Sequence, residues 1–150
     1  MDTTRFLPLY DLPAHLIRRS HQAAVAAFQA ELGGSAITPT QLAVLLVVNL
    51  QEGLEQRQIA EAAGLDQPTV GGVLGRLESA GLIKRHRSHH SRRGRAVYLS
   101  DEGRKMMRRV IQPAVARIQK RLVRALTKNE QAELSRLLSK MVRLHNSYNP

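Results

Sequence analysis

Twelve consecutive residues, 84–95, hold Lys84, Arg85, Arg87, Arg92, Arg93 and Arg95 with no acid among them. Cations packed that closely repel one another, so the free chain gains nothing from the arrangement. A polyanion neutralises it and releases counterions. A second group of side chains precedes this run at helical spacing: Gln67, Thr69 and Arg76. A glutamine carboxamide can bond an adenine edge in bidentate fashion. An arginine suits guanine or phosphate, and a threonine can meet a thymine methyl or a phosphate. His86, His89 and His90 lie within the basic run. Clustered histidines can bind zinc, but no Cys, Asp or Glu stands beside them to complete a site. Phosphate contact or a pH-sensitive charge is the simpler expectation for them. There is no Ser-His-Asp order, no phosphate-binding loop and no metal-ligand cluster. The chemistry on offer is therefore recognition rather than turnover, and neither an enzyme nor a cofactor is expected.

These side chains need elements to hold them. Asp66 is a helix N-cap, and Val70, Val73, Leu74 and Leu77 form the inward stripe of the helix that follows. Gln67, Thr69, Gly71, Gly72, Gly75 and Arg76 take the other face. Three glycines within one helix cost about 1 kcal/mol each against alanine. Either the backbone must come close to DNA there, or the glycines relieve packing against a neighbouring helix. Residues 55–63 read as a shorter helix with Ile59, Ala60 and Ala63 inward. Gly64 and Leu65 stop it in a Schellman arrangement. Only Gly64, Leu65 and Asp66 separate the two helices, which is a helix-turn-helix spacing. Gly81-Leu82 repeats the stop signal. Strands at 82–85 and 96–99 then form a basic hairpin, with Gly94 near its tip.

On the N-terminal side, residues 1–12 read as an irregular arm ended by Pro13. A helix over 13–32 carries Leu16, Ile17, Ala24, Ala27 and Phe28, and Gly33-Gly34 ends it. Thr38-Pro39-Thr40-Gln41 is a capping box with proline in the first turn. The apolar run 42–50 behind it makes a helix buried on most sides, ended by Gly53. On the C-terminal side, Ser100 caps a long helix to about 126, with Met107, Val110, Ile111, Ala114, Val115, Ile118 and Leu122 inward and a kink at Pro113. Its basic residues form mostly a solvated face, although Arg104 and Lys105 could touch phosphate. Thr127 to Glu130 is a second capping box. The last helix places Leu134, Leu137, Leu138, Met141 and His145 on one face.

The 150 residues suit one compact domain, or one domain with added dimerisation helices. With 43% hydrophobic residues but only 3% aromatic, the core must be Leu, Val, Ile and Ala. The net charge is +11, and there is no cysteine. Disulfides, thiol sensing and Cys-based zinc sites are thereby excluded. No signal segment or internal repeat is visible. The apolar run 42–50 is too short to span a bilayer, so a cytoplasmic protein without membrane contact is expected.

Taken in order, Thr38 to Gln41, Gln58-Ile59-Ala60, Asp66 to Arg76 with Leu77-Glu78, Gly81 to Arg85, and Leu99 to Gly103 resemble the MarR family of bacterial regulators. The resemblance runs over nearly the whole chain. It implies a mainly α fold: a winged helix-turn-helix lobe at 36–100 with a small β-hairpin wing, and dimerisation helices at 13–33 and 101–146. It also implies a homodimer that usually represses transcription until a small molecule binds. The DNA-contacting set is then Thr38, Thr40, Gln58, Asp66, Gln67, Thr69, Val70, Gly71, Gly72, Arg76, Arg85, Arg87, Arg92, Arg93 and Arg95. Two-fold symmetry implies double-stranded DNA with a pseudo-palindromic operator. One position departs from the family. Its wing usually carries an Asp two residues before an Arg, and here the pair is Ser91 and Arg93. Either this wing is more mobile, or Asp66 or another residue braces it.

A shorter stretch, Leu16 to Gln22, is similar to the first-helix motif of members that answer to benzoates, hydroxycinnamates or their coenzyme A thioesters. It implies a small anionic aromatic effector, with Tyr10, Arg18, Arg19 and His21 as candidate ligand residues. The arginines would pair with an effector carboxylate, or else serve as ordinary surface charges or dimer salt bridges. A non-specific architectural DNA-binding protein is the alternative that shares the charge but needs no effector.

Overall fold

The computed structural model describes residues 9–89 and 94–146, with the side chains of 144–146 left aside. The chain divides into two compact units. The first, Phe28–Ala116, carries the helix-turn-helix and the sheet. It holds the end of α1 (Pro13–Leu32), then α2 (Pro39–Leu50), β1 (Leu54–Glu55), α3 (Gln56–Ala63), α4 (Gln67–Ser79), β2 (Ile83–Arg87), β3 (Arg95–Leu99) and α5 (Asp101–Met106). A π-helical turn, Met107–Ile111, leads into α6 (Gln112–Leu122). The second unit comprises the flanking segments, with most of α1, the end of α6 and α7 (Lys128–Asn146).

Local signals set most of these boundaries. Thr38 N–H donates to Gln41 Oε1 at 2.9 Å, and Gln41 N–H donates back to Thr38 Oγ1 at 3.2 Å, so α2 starts on a complete capping box. Gly64 (φ 66°) and Gly81 (φ 73°) adopt the left-handed backbone that ends α3 and α4. In each case the next residue folds back: Leu65 N–H donates to the Ala60 carbonyl, and Leu82 N–H to that of Leu77, both at 2.9 Å. The stripes then close on one another. Val44, Leu45 and Val48 of α2, Ile59 of α3, and Val70, Val73, Leu74 and Leu77 of α4 meet Ile83, Val97 and Leu99 of the sheet, with Met107 and Ile111 beneath.

The sheet has three strands in the order β1-β3-β2, all antiparallel. The sequence predicts two. The third is the two-residue β1, pairing Leu54 with Val97 and Glu55 with Ala96, too short to show alternation. The hairpin strands are longer at the tip side than predicted, with five pairs from Ile83↔Leu99 to Arg87↔Arg95. Leu82 stays outside the strand because its N–H folds back to the Leu77 carbonyl at 2.9 Å, although its own carbonyl accepts from Ser100 N–H at 3.0 Å.

The long C-terminal helix also differs from expectation. It does not simply kink at Pro113. The ladder widens just before it, with Gln112 N–H bonding the Met107 carbonyl five residues back. Proline has no N–H and its ring crowds the carbonyl four residues earlier, so an extra residue in the preceding turn relieves the clash. The inward stripe is also narrower than expected. Met107, Ile111, Ala114 and Ile118 are buried, whereas Val110 and Leu122 are exposed. The helix ends at Leu122, and Thr127 with Glu130 caps α7 as expected. In the second unit Leu16 and Ile17 of α1, and Leu134, Leu137, Leu138, Met141 and Val142 of α7, are exposed apolar side chains. The side chain of His145 lies outside the described residues.

Candidate nucleic-acid interface

The second helix of the helix-turn-helix begins at a doubly used carboxylate. Asp66 Oδ1 accepts from Thr69 N–H at 2.7 Å, and Oδ2 accepts from the Thr69 hydroxyl at 2.6 Å. Those bonds, the hydroxyl one foremost, hold the Asp66 carboxyl below its usual range. Asp66 is thus a cap in the structure, with an exposed carboxylate engaged twice by Thr69. Val70 is a correction to the DNA-contacting set: it is 0% exposed and its side chain belongs wholly to the core. Thr69 is half-buried, and its hydroxyl already donates to Asp66.

The rest of α4 separates cleanly. Gln67, Gly72 and Arg76 are exposed. Gly72 is bare to solvent, with the Arg76 guanidinium 3.7 Å from where a β-carbon would stand. Gly71 instead faces α3: a β-carbon there would lie 3.0 Å from Gln56 Nε2. Of the two explanations for the glycines, packing accounts for Gly71, while Gly72 leaves open backbone on the outer face.

Gln67 lines a cleft of about 300 Å³ together with Glu55 of β1, Gln56 and Arg57 of α3, Leu74 of α4, and Arg85, Gly94, Arg95 and Val97 of the hairpin; three arginines outnumber its one acid. Arg57 and Arg95 are exposed there. Arg87 stands directly across from Arg95 in the sheet register, also exposed. Like charges opposed across two strands destabilise the pair, and a polyanion would remove that penalty. Arg85 behaves differently. Its Nε donates to Glu78 Oε2 at 2.9 Å, and its side chain is only 22% exposed. It braces β2 against α4 while still lining the cleft. Thr38, Thr40 and Gln58 do not line this cleft. Thr38 is engaged in its capping box, and Gln58 Oε1 accepts from Glu55 N–H at 2.9 Å at the start of α3. Arg92, Arg93, His90 and Ser91 lie outside the described residues.

The hairpin is held along its length by acids that sequence reasoning missed. Ser88 Oγ donates to the Glu55 carboxylate. Glu52 accepts from Leu99 N–H at 3.0 Å and from both terminal nitrogens of Arg104, at 2.8 and 3.1 Å. With Glu78 on Arg85, three glutamates tie the sheet to its surroundings, and Asp66 is not one of them. Lys105 pairs with Glu102 at 2.7 Å, so both basic residues at the start of α5 have acidic partners. His86 packs its ring against Tyr98 at 5.6 Å. Among the described residues no group of three His, Asp or Glu side chains could hold a metal.

Arg85 holds the Glu78 carboxyl below its usual range, chiefly by its hydrogen bond. A carboxyl depressed in the folded state stabilises fully above its unfolded titration range, and loses that contribution as pH falls through the folded value. Urea midpoints of the wild type should therefore fall further between pH 7 and pH 3 than those of Glu78→Gln. Parallel midpoints for the two proteins would remove the brace.

The candidate effector residues fall in the second unit. Tyr10 is 76% exposed and stacks edge-on against His15 at 6.1 Å. Arg18 Nη2 lies 3.3 Å from His15 Nδ1. His15 thus joins two of the predicted residues, an i, i+3 spacing that could have signalled it. Arg19 and His21 are exposed. Gln56 and Arg57 are legible in the sequence only as a polar run ahead of Ile59.

The sequence pattern of the MarR family matches residues 37–94. The transcriptional regulator HosA of Escherichia coli is 30% identical over 128 residues, 85% of this chain and 93% of its own length. This chain belongs to the MarR family. Two solved MarR-type structures resemble it throughout. Bordetella bronchiseptica BpsR, solved to explain regulation of its DNA binding by 6-hydroxynicotinic acid, is 30% identical with a TM-score of 0.78, over 86% of this chain and 97% of that one. The transcriptional repressor CouR bound to a 23-mer DNA duplex is 27% identical with a TM-score of 0.80, over 91% and 98%. The chain is a transcriptional regulator of MarR type, mainly helical with a small antiparallel sheet, as the sequence resemblance implied. No described helix of this MarR protein is long and apolar enough to cross a membrane.

Proposed function

We propose that this MarR-type regulator is a homodimeric, sequence-specific repressor released by a small anionic aromatic effector. In this reading α4 enters a major groove and presents Gln67 and Arg76 to base edges or phosphates. The hairpin enters the neighbouring groove with Arg87 and Arg95, joined by Arg92 and Arg93. Residues 36–100 form the DNA lobe, and 13–33 with 101–146 form the dimer. The observation that carries the reading is the cleft where Gln67, Arg57 and Arg95 meet, beside the opposed Arg87–Arg95 pair. The exposed apolar side chains of α1 and α7 support a self-complementary dimer surface. CouR on its duplex and BpsR with its aromatic acid support the two ligand classes. Tyr10, Arg18, Arg19 and His21 would receive the effector carboxylate or thioester.

Labelled duplexes from the DNA flanking the protein's own gene, titrated at two salt concentrations with and without aromatic acids and their thioesters, test this reading. Tight binding to one palindrome, released by one compound, is expected. Equal binding to every duplex, indifferent to the compounds, would instead favour an architectural DNA-binding protein. Arg95→Ala should lower the slope of log affinity against log salt by about one, the share of a single phosphate contact. An unchanged slope would take Arg95 out of the interface.

A further inference from the structure

Gln56 reaches across the turn of the helix-turn-helix. Its Nε2 donates to the backbone carbonyl of Gln67 at 3.0 Å, from the first residue of α3 to the first residue of α4. The room for it is made by Gly71. A β-carbon on Gly71 would stand 3.0 Å from Gln56 Nε2, so the nitrogen that makes the bond would have to give by a few tenths of an ångström, while Cδ and Oε1 at 3.5 Å would stay in ordinary contact. A glycine in the middle of a helix weakens it, and here the missing side chain has a use. Gln67 itself is exposed and lines the cleft beside Gln56. The Asp66 cap fastens the same turn through Thr69, but its two side-chain bonds do not hold Gln67 itself. First turns of helices fray, and a frayed first turn cannot hold a carboxamide in the two-bond geometry that reads a base edge.

We propose that Gln56 is a positioning residue for DNA readout, one that uses the space left by Gly71 to clamp the Gln67 backbone and so holds the Gln67 side chain in register for a base. The inference rests on α4 reading a major groove. It adds that base discrimination at one operator position depends on a side chain that touches no base.

Gln56→Glu keeps the size of the side chain but sets an acceptor against the Gln67 carbonyl. Gly71→Ala keeps Gln56 and crowds the Nε2 that makes the bond. Binding-site selection from a random duplex library, run with wild type and each variant, reads discrimination position by position. Amide hydrogen exchange in the free proteins reads the clamp without DNA. Both variants should lose about tenfold discrimination at one base pair per half-site, the scale of one bidentate contact. That pair should be the one Gln67→Ala also relaxes, and the other positions should hold. The backbone amides at positions 70 and 71 should exchange several-fold faster in both variants. Gly71→Ala should do this without a lower melting temperature, since alanine favours the helix. The double variant Gln56→Glu/Gly71→Ala should lose no more discrimination than either single one, because both remove the same contact.

Unchanged discrimination in both variants overturns the clamp, whatever the exchange data show. Unchanged exchange overturns it as well, even where discrimination falls. A wild-type protein with no base preference at all takes down the sequence-specific reading and the clamp together, and so is distinguishable from failure of the clamp alone.

Discussion

Gly103→Ala should destabilise the winged lobe by a net amount of about 2 kcal/mol. A β-carbon at position 103 would lie 2.0 Å from the Leu82 carbonyl oxygen, far inside van der Waals contact. That oxygen cannot swing aside. It accepts from Ser100 N–H at 3.0 Å, while Ser100 Oγ donates to the Gly81 carbonyl at 2.5 Å and accepts from Gly103 N–H at 2.9 Å. Relief means pulling the start of α5 away from the Gly81-Leu82 turn and loosening all three bonds. Overpacking against fixed backbone costs about 3 kcal/mol. Alanine's better helix propensity returns about 1 kcal/mol, so the clash wins. Urea unfolding at pH 7 measures the difference. A variant as stable as wild type would mean that the two segments do not approach so closely.

Arg76→Ala should weaken operator binding roughly ten- to a hundredfold, the range of one lost bidentate base contact, while leaving the fold intact. Arg76 is exposed on the outer face of α4, over the bare backbone of Gly72. It lies outside the buried stripe, so its removal should shift stability by no more than about 0.5 kcal/mol. The pattern of the loss identifies its target. Relaxed preference at a single base pair marks a guanine, whereas a uniform loss with a salt slope lower by about one marks a phosphate. Binding within twofold of wild type would remove Arg76 from the interface.

What is legible in the sequence is what is local. The Thr38 capping box, the Asp66 cap, and the Gly64 and Gly81 stops each depend on residues within five positions, and each stands where the spacing predicts. The inward stripe of α4 follows from the helical period alone. What escapes depends on partners far along the chain. Leu54 and Glu55 are a strand only because Val97 and Ala96 come to meet them. Arg85 looks like one more cation of a basic run, and only the fold brings Glu78 to it. Gly103 carries no mark of the carbonyl that demands it. Asp66 and Val70 mislead in another way. Their local roles as cap and core residue are visible in the sequence; those roles engage the Asp66 carboxylate with Thr69 and bury Val70 completely.

The described fastenings of the hairpin are spread along it. Its register is set by the five pairs from Ile83↔Leu99 to Arg87↔Arg95, and the glutamates that hold it meet Arg85, Ser88, Leu99 and Arg104. In engineering terms these are rivets, driven from three separate places: Glu52 before β1, Glu55 at its end and Glu78 on α4. A plate riveted at several points moves with its frame. The described hairpin strands and the helix-turn-helix should therefore swing as one part when the lobe shifts, and the loss of any single rivet should leave the strand register in place.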